Sequence, residues 1–260
     1  MTADVHPSAV VSDRATLGQN VTIGPFCVVG ANVTLGDGVW LKSHVVVDGD
    51  THIGPDSTVF AFAVLGEIPQ DLKFGGERTR LRIGARARIR EHVTVNIGTE
   101  GGGGLTRIGD DCLLMAGCHV AHDAQLGDRV IIVNQSAVAG HCLIGDDVIV
   151  GGLCGIHQFV RIGAGAIIGA LSMVTNDVIP NGLVMGERAR LEGLNLVGLK
   201  RRGTDKAQIR ALRAAYERLR DGEGTFHDRV EALAGDDSPE VQRLVAFVMG
   251  QSDRHFLTPR

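Results

Sequence analysis

The feature that most narrows the fold of this chain is an aliphatic residue at every sixth position. From Val5 the series reads Val5, Val11, Leu17, Ile23, Val29, Leu35, Leu41, Val47, Ile53, Val59 and Leu65. It resumes as Ile83, Ile89 and Val95. It then runs unbroken from Ile108 through Leu114, Val120, Leu126, Ile132 and Val138 to Val174. An amphipathic helix needs apolar residues at i, i+3, i+4 and i+7, and a hairpin sheet needs sustained alternation. A period of six satisfies neither and marks a parallel β-helix, each hexad supplying one short strand and a turn. Three hexads close a triangular coil, and each aliphatic residue stacks on its equivalent in the next coil to form one continuous core. An aromatic content of only 4% suits a narrow prism filled by Val, Ile and Leu. The expected fold is mainly β, a parallel β-helix of hexapeptide repeats over residues 1–182, with a small C-terminal α-helical domain over residues 183–260.

The formal net charge of -4 argues against a general nucleic-acid binder. Cys27, Cys112, Cys118, Cys142 and Cys154 are odd in number and form no C-x-x-C pair, and several fall at inward hexad positions. They read as buried free thiols in a reducing compartment. No basic segment followed by an apolar one opens the chain, and no window approaches the length of an apolar membrane span. A cytoplasmic location is expected.

Two interruptions break the hexads. A β-helix core cannot absorb extra residues, so each must loop outward, and such loops often gather on a binding face. The first, Glu67 to Arg78, presents Gln70, Asp71 and Lys73 either as ligand contacts or as ordinary solvated polar groups. The second, Gly98 to Leu105, has four consecutive glycines and predicts a flexible flap. Beyond Gly182, residues Arg188 to Arg202 read as a basic connector. Thr204 is the expected N-cap of a helix from Asp205 to about Asp221, with Ile209, Leu212, Tyr216 and Leu219 on one face. A second helix is expected from Phe226 to about Ala234, and Pro239 opens a third. Lys206, Arg210, Arg213, Arg218 and Arg220 make the first of these helices basic, either as a solvated face or as a docking surface for an acidic partner.

The chemistry gathers in the later coils. With three hexads per coil, residue i sits over i+18 at about 4.8 Å. His122 then lies beside Gly140, and Gly140 beside Gln158. Asp123 lies beside His141, and His141 beside Phe159. His157 is one step from that column, and His119 falls on the preceding corner. Histidines concentrated on one edge fit either a zinc site or general-base catalysis. The adjacent His122 and Asp123 favour the second, and an exposed Gly140 N–H could hold an oxyanion.

Several stretches together resemble the acyl-carrier-protein-dependent UDP-N-acetylglucosamine acyltransferases, the first enzymes of lipid A synthesis. They are Gln70-Asp-Leu-Lys73, Arg88-Ile-Arg-Glu91, His119-Val-Ala-His-Asp123, Ala139-Gly-His141, Ile156-His-Gln-Phe159 and Gly198-Leu-Lys-Arg-Arg-Gly203. The resemblance spans nearly the whole chain and implies a left-handed β-helix homotrimer with active sites between subunits and no metal or cofactor. It makes His122 the general base, polarised by Asp123, for the 3-hydroxyl of UDP-N-acetylglucosamine attacking a 3-hydroxyacyl thioester on acyl carrier protein. Gly140 becomes the oxyanion donor. Asp71 and Lys73 become sugar contacts, with His119, His141, His157 and Gln158 lining the site and Asn195, Arg201 and Arg202 near the nucleotide. The basic helix gains a partner, because acyl carrier proteins are acidic.

Two departures stand out. Val197 replaces an acidic residue common in the family. Ala170, where the family's acyl groove ends near Arg188, replaces glycine and implies a shorter acyl chain. One base would also serve a 3-amino acceptor. The rival readings are a sister N-acyltransferase, for which hexads starting at Val5 leave no room for its extra N-terminal domain, a zinc carbonic anhydrase of the hexapeptide fold, and a non-catalytic scaffold.

Overall fold

The computed structural model describes residues 3–259. Nearly every hexad forms a two-residue strand whose first residue points outward and whose second is the repeating aliphatic residue, as in Thr22–Ile23, Thr34–Leu35 and Leu113–Leu114. The registers Val5↔Ile23, Ile23↔Leu41 and Leu41↔Val59 stack one coil on the next. The chain thus visits three sheets in turn, of eleven, nine and eight strands, parallel throughout save for one hairpin. The result is a left-handed parallel β-helix with a small helical part at its C-terminal end.

The repeating residues form a single column of core, with Ile23, Leu41, Ile89, Leu114 and Ile132 all but inaccessible to solvent. Val5 lies in the end strand of its sheet, where among the described residues it pairs on one side only, and is 37% exposed. The register passes from Val59 to Ile89 and from Ile89 to Leu114, so both interruptions leave the ladder intact and emerge sideways. The five cysteines are free and buried. Burial raises all five thiols, Cys112 to about 11 and Cys142 to about 12, which makes them inert core residues.

The C-terminal region differs from expectation in its connections. The strand Gly182–Met185 still pairs with Ile167–Ile168 and then turns into an antiparallel strand, Arg190–Leu194. The supposed connector is therefore a hairpin followed by a short helix, α1 (Leu196–Arg201), capped by Asn195. Helix α2 (Lys206–Asp221) is capped by Asp205 rather than Thr204, because the Asp205 carboxylate accepts from the Ala207 N–H at 2.6 Å. Helix α3 (Phe226–Glu231) carries a Thr225–Asp228 capping box and stops short of Ala234, whose stretch is a turn. Helix α4 (Pro239–Met249) packs its Val241, Leu244 and Val248 stripe inward. The tail then returns to the prism through an Asp177↔Phe256 bridge. Among the described residues, no helix is long and apolar enough to cross a membrane.

Candidate active site

His122 and Asp123 occupy the turn between strands His119–Val120 and Gln125–Leu126, at the corner joining the nine- and eight-stranded sheets. Both are buried. Asp123 has a left-handed backbone, φ 60°, a region that Asp enters more readily than most residues, and its N–H donates to Thr106 Oγ1 at 2.8 Å. The turn folds the carboxylate back on its neighbour, so that His122 Nδ1 donates to Asp123 Oδ2 at 2.8 Å. That leaves the Nε2 lone pair as the imidazole's basic face.

The carboxylate is held from its other side by the glycine loop. The Thr99 N–H donates to Oδ1 at 2.9 Å and Oδ2 at 3.1 Å, and the Thr99 hydroxyl donates to Oδ2 at 2.6 Å. A Cβ on Gly102 would lie 2.1 Å from the Asp123 carboxyl carbon, and one on Gly98 would lie 2.8 Å from Oδ1. The segment expected as a free flap is thus a clamp: its glycines let the backbone press against Asp123, and Thr99 does the bonding.

Gly140 sits directly under the imidazole. A Cβ there would come within 2.7 Å of His122 Cε1 and 2.8 Å of Nε2, so only glycine admits the ring. Among the described residues the Gly140 N–H donates no hydrogen bond. His141 meets His122 edge-on, with ring centres 4.9 Å apart, and stacks flat on Phe159 at 4.4 Å. The neighbours inferred from the hexad register are therefore present. His119 projects from a strand rather than from a corner, and its Nδ1 is 2.8 Å from Thr94 Oγ1. It shares a cavity of about 230 Å³ with Gln70, Asn96, His122, Gly140 and Gln158. Burial pushes the His119 and His141 rings below the ordinary histidine value. His122 adds to this in both, whereas Asp123 and Asp71 oppose it in His141. Both rings are accordingly neutral at pH 7.

Asn96 donates to the carbonyls of Glu67 and Ile68 at 3.3 and 2.9 Å, anchoring the loop that carries Gln70 and Asp71. Asp71 lies close enough for its charge to reach His141, and it accepts from the Lys73 N–H at 3.0 Å, while the Lys73 side chain is exposed. His157 and Gln158 stand one coil above Ala139 and Gly140. Outward along the same sheet, Ala137, Gly155 and Met173 follow His119 as an apolar trough. The trough leads toward exposed Ala170 and toward Arg188, which bridges to Met173.

Asn195, Arg201 and Arg202 are not at this corner. Asn195 donates to the Gly165 carbonyl and caps Gly198, both at 2.9 Å, and the Arg202 guanidinium donates to the Asn181 side-chain oxygen. Gly165 lies in the turn between the eight- and eleven-stranded sheets, one corner away from His122. Arg202 lines a separate cavity there of about 710 Å³, and Arg201 is exposed nearby. The hexad period does not point to Thr99, Thr106, Thr94 or Asn96. A lone threonine in a glycine run was the one available signal.

His122, Asp123 and His141 offer ligand atoms within 4.8 Å of one another and could gather a metal ion. The Asp123 oxygens, however, already accept from Thr99 and His122, so the set as folded serves hydrogen bonding.

A prism of hexapeptide coils with a His–Asp pair buried at one corner is the architecture of a hexapeptide transferase, and residues 105–140 match the family described as bacterial transferase hexapeptide (six repeats). Residues 177–257 match a second family, described as Udp N-acetylglucosamine O-acyltransferase, domain 2. An acyl-[acyl-carrier-protein]–UDP-N-acetylglucosamine O-acyltransferase of Paracoccus denitrificans is 63% identical over 77% of each chain. One from Azorhizobium caulinodans is 52% identical over 98% of this chain and 95% of its own. The solved enzyme of Acinetobacter baumannii superposes with a TM-score of 0.94 at 40% identity, covering 97% of this chain and 99% of that one. The chain belongs to the acyl-[acyl-carrier-protein]–UDP-N-acetylglucosamine O-acyltransferase family, whose reaction is the first step of lipid A biosynthesis.

Proposed function

We propose that His122 is the general base that moves a 3-hydroxyacyl chain from acyl carrier protein to the 3-hydroxyl of UDP-N-acetylglucosamine. The observation that carries this is the 2.8 Å bond from His122 Nδ1 to a clamped Asp123, which leaves Nε2 free above Gly140. Nε2 takes the hydroxyl proton as the oxygen bonds to the thioester carbon. The tetrahedral oxyanion accepts from the unpaired Gly140 N–H. The carbon–sulfur bond then breaks, and the leaving thiolate takes the proton back from His122. His119, His141, His157, Gln158, Asp71 and Lys73 bind the sugar and the acyl carbonyl around this centre. The acyl chain follows the Ala137–Gly155–Met173 trough and ends near Ala170 and Arg188, where the added methyl group favours a shorter chain.

Asn195, Arg201 and Arg202 sit one corner away, so in this reading they serve the nucleotide of a neighbouring subunit's site. A homotrimer supplies that neighbour. The half-exposed outward column Leu113, Ile131, Ile149 and Ile167, with exposed Leu153 and Leu171, supports such an assembly. On α2, Lys206, Arg210, Arg213 and Arg218 are exposed and have no ion-pair partner among the described residues, a surface suited to an acidic carrier protein. Residues 1–182 then carry the chemistry and residues 183–260 the docking. Five free buried thiols support a cytoplasmic location. Product analysis tests the chemistry: an ester on the sugar O3 is expected, and exclusive transfer to a 3-amino sugar nucleotide would overturn the choice of acceptor.

A further inference from the structure

The C-terminal tail reaches back across the prism to the wall of the catalytic corner. Ser252 Oγ donates to the fully buried Asp177 carboxylate at 2.6 Å, the same oxygen that accepts from Arg161 Nε at 2.7 Å. The Asp177 N–H donates to the His255 carbonyl and the Leu257 N–H to the Asp177 carbonyl, each at 2.8 Å. Phe247 and Phe256 cover the Arg161 guanidinium. The tail is thereby fixed on both sides of Arg254.

Arg254 makes two contacts with the site wall. Its Nη2 lies 2.7 Å from His157 Nδ1, and its Nε donates to the Gln158 carbonyl at 3.1 Å. A guanidinium has donors only. Nδ1 must therefore present its lone pair to Arg254, and the ring proton of neutral His157 sits on Nε2. The alternative tautomer has one acceptor nearby: Nδ1 is 3.3 Å from the Gln158 carbonyl. Arg254 bonds to that carbonyl as well, so it both fills the Nδ1 lone pair and occupies the oxygen that an Nδ1–H would use.

We propose that Arg254 is a positioning residue that locks His157 as the Nε2–H tautomer, making it a hydrogen-bond donor to an oxygen of the substrate. The proposal rests on the reading of His157 as a site residue. It also ties the helical region to the catalytic corner, because the segment that carries Arg254 follows directly from α4.

The experiment is 15N NMR of histidine-labelled full-length protein, with His157→Ala used to assign the His157 signals. Wild type should show His157 protonated at Nε2 alone. Arg254→Met should shift it toward Nδ1–H, and Arg254→Lys, which keeps a donor, should restore the wild-type pattern in part. In steady-state assays Arg254→Met should raise the substrate KM about five- to tenfold with kcat within about twofold, as for a lost ground-state hydrogen bond. Unchanged tautomers in Arg254→Met overturn the proposal whatever the kinetics show. A tautomer shift with His157→Ala fully active leaves the lock standing and instead removes His157 from the site. A KM loss in Arg254→Met of the same size in a His157→Ala background would assign the effect to general structure and also overturn it.

Discussion

The His122–Asp123 corner depends on close contacts behind the imidazole and the carboxylate. Gly140 is the sharpest case, since its missing side chain is the space that the His122 ring fills. Gly140→Ala should keep the fold and displace the imidazole by about an ångström, which lowers kcat about a hundredfold. Circular dichroism beside turnover checks it, and a fully active Gly140→Ala enzyme would contradict the packing described. His119 and His141 carry a second consequence. Burial holds their folded values below the ordinary 6.5, so below that pH the unfolded chain binds more protons than the folded one. The stability they contribute is complete above about pH 6.5 and is lost progressively as the pH falls beneath it. Melting temperatures measured from pH 8 to pH 5 should decline on the acid side, and less steeply for His119→Asn.

Among the elements around the site, the glycine loop holds the Asp123 carboxylate through Thr99. Thr99→Val removes the hydroxyl that bonds Asp123 at 2.6 Å while keeping the side-chain volume and the backbone bonds. It should lower kcat about tenfold, near the lower end of what one hydrogen bond to a charged group is worth. Stopped-time assays of acyl transfer read this directly. The same loop shows where sequence reasoning stops. The hexads were legible because each buried aliphatic residue answers to its own position in the period. The His122–Gly140 and His141–Phe159 neighbours followed from that register alone. Thr99 meets Asp123 across an irregular loop, and no period predicts that contact. Helix α1 escaped notice because six residues with a central Gly198 carry no helical period, and the hairpin strand Gly182–Met185 because it is short and follows the last hexad. The cap of α2 fell on Asp205 rather than Thr204 because two adjacent residues of capping type could not be separated by sequence.

The whole molecule presents two surfaces to which the proposed function assigns work, the His122–Asp123 corner for transfer and the basic helix α2 for an acidic carrier. Reversing charge on that helix, with Arg210→Glu and Arg213→Glu together, should raise the KM for acyl carrier protein about tenfold. It should leave the KM for the sugar nucleotide unchanged and flatten the salt dependence of the reaction. Equal losses for both substrates would argue against docking there. Enzyme dialysed against a strong chelator should transfer acyl groups at the undialysed rate, and loss of activity restored by zinc would move the chemistry to the His122–Asp123–His141 set. Whether His122 is the base for acyl transfer to UDP-N-acetylglucosamine is decided by one comparison. Transfer from 3-hydroxyacyl carrier protein is measured for wild type and for His122→Ala of matched thermal stability. The wild type should transfer robustly and the variant should lose about a thousandfold, the scale of a removed general base. A His122→Ala enzyme within tenfold of wild type would contradict that role.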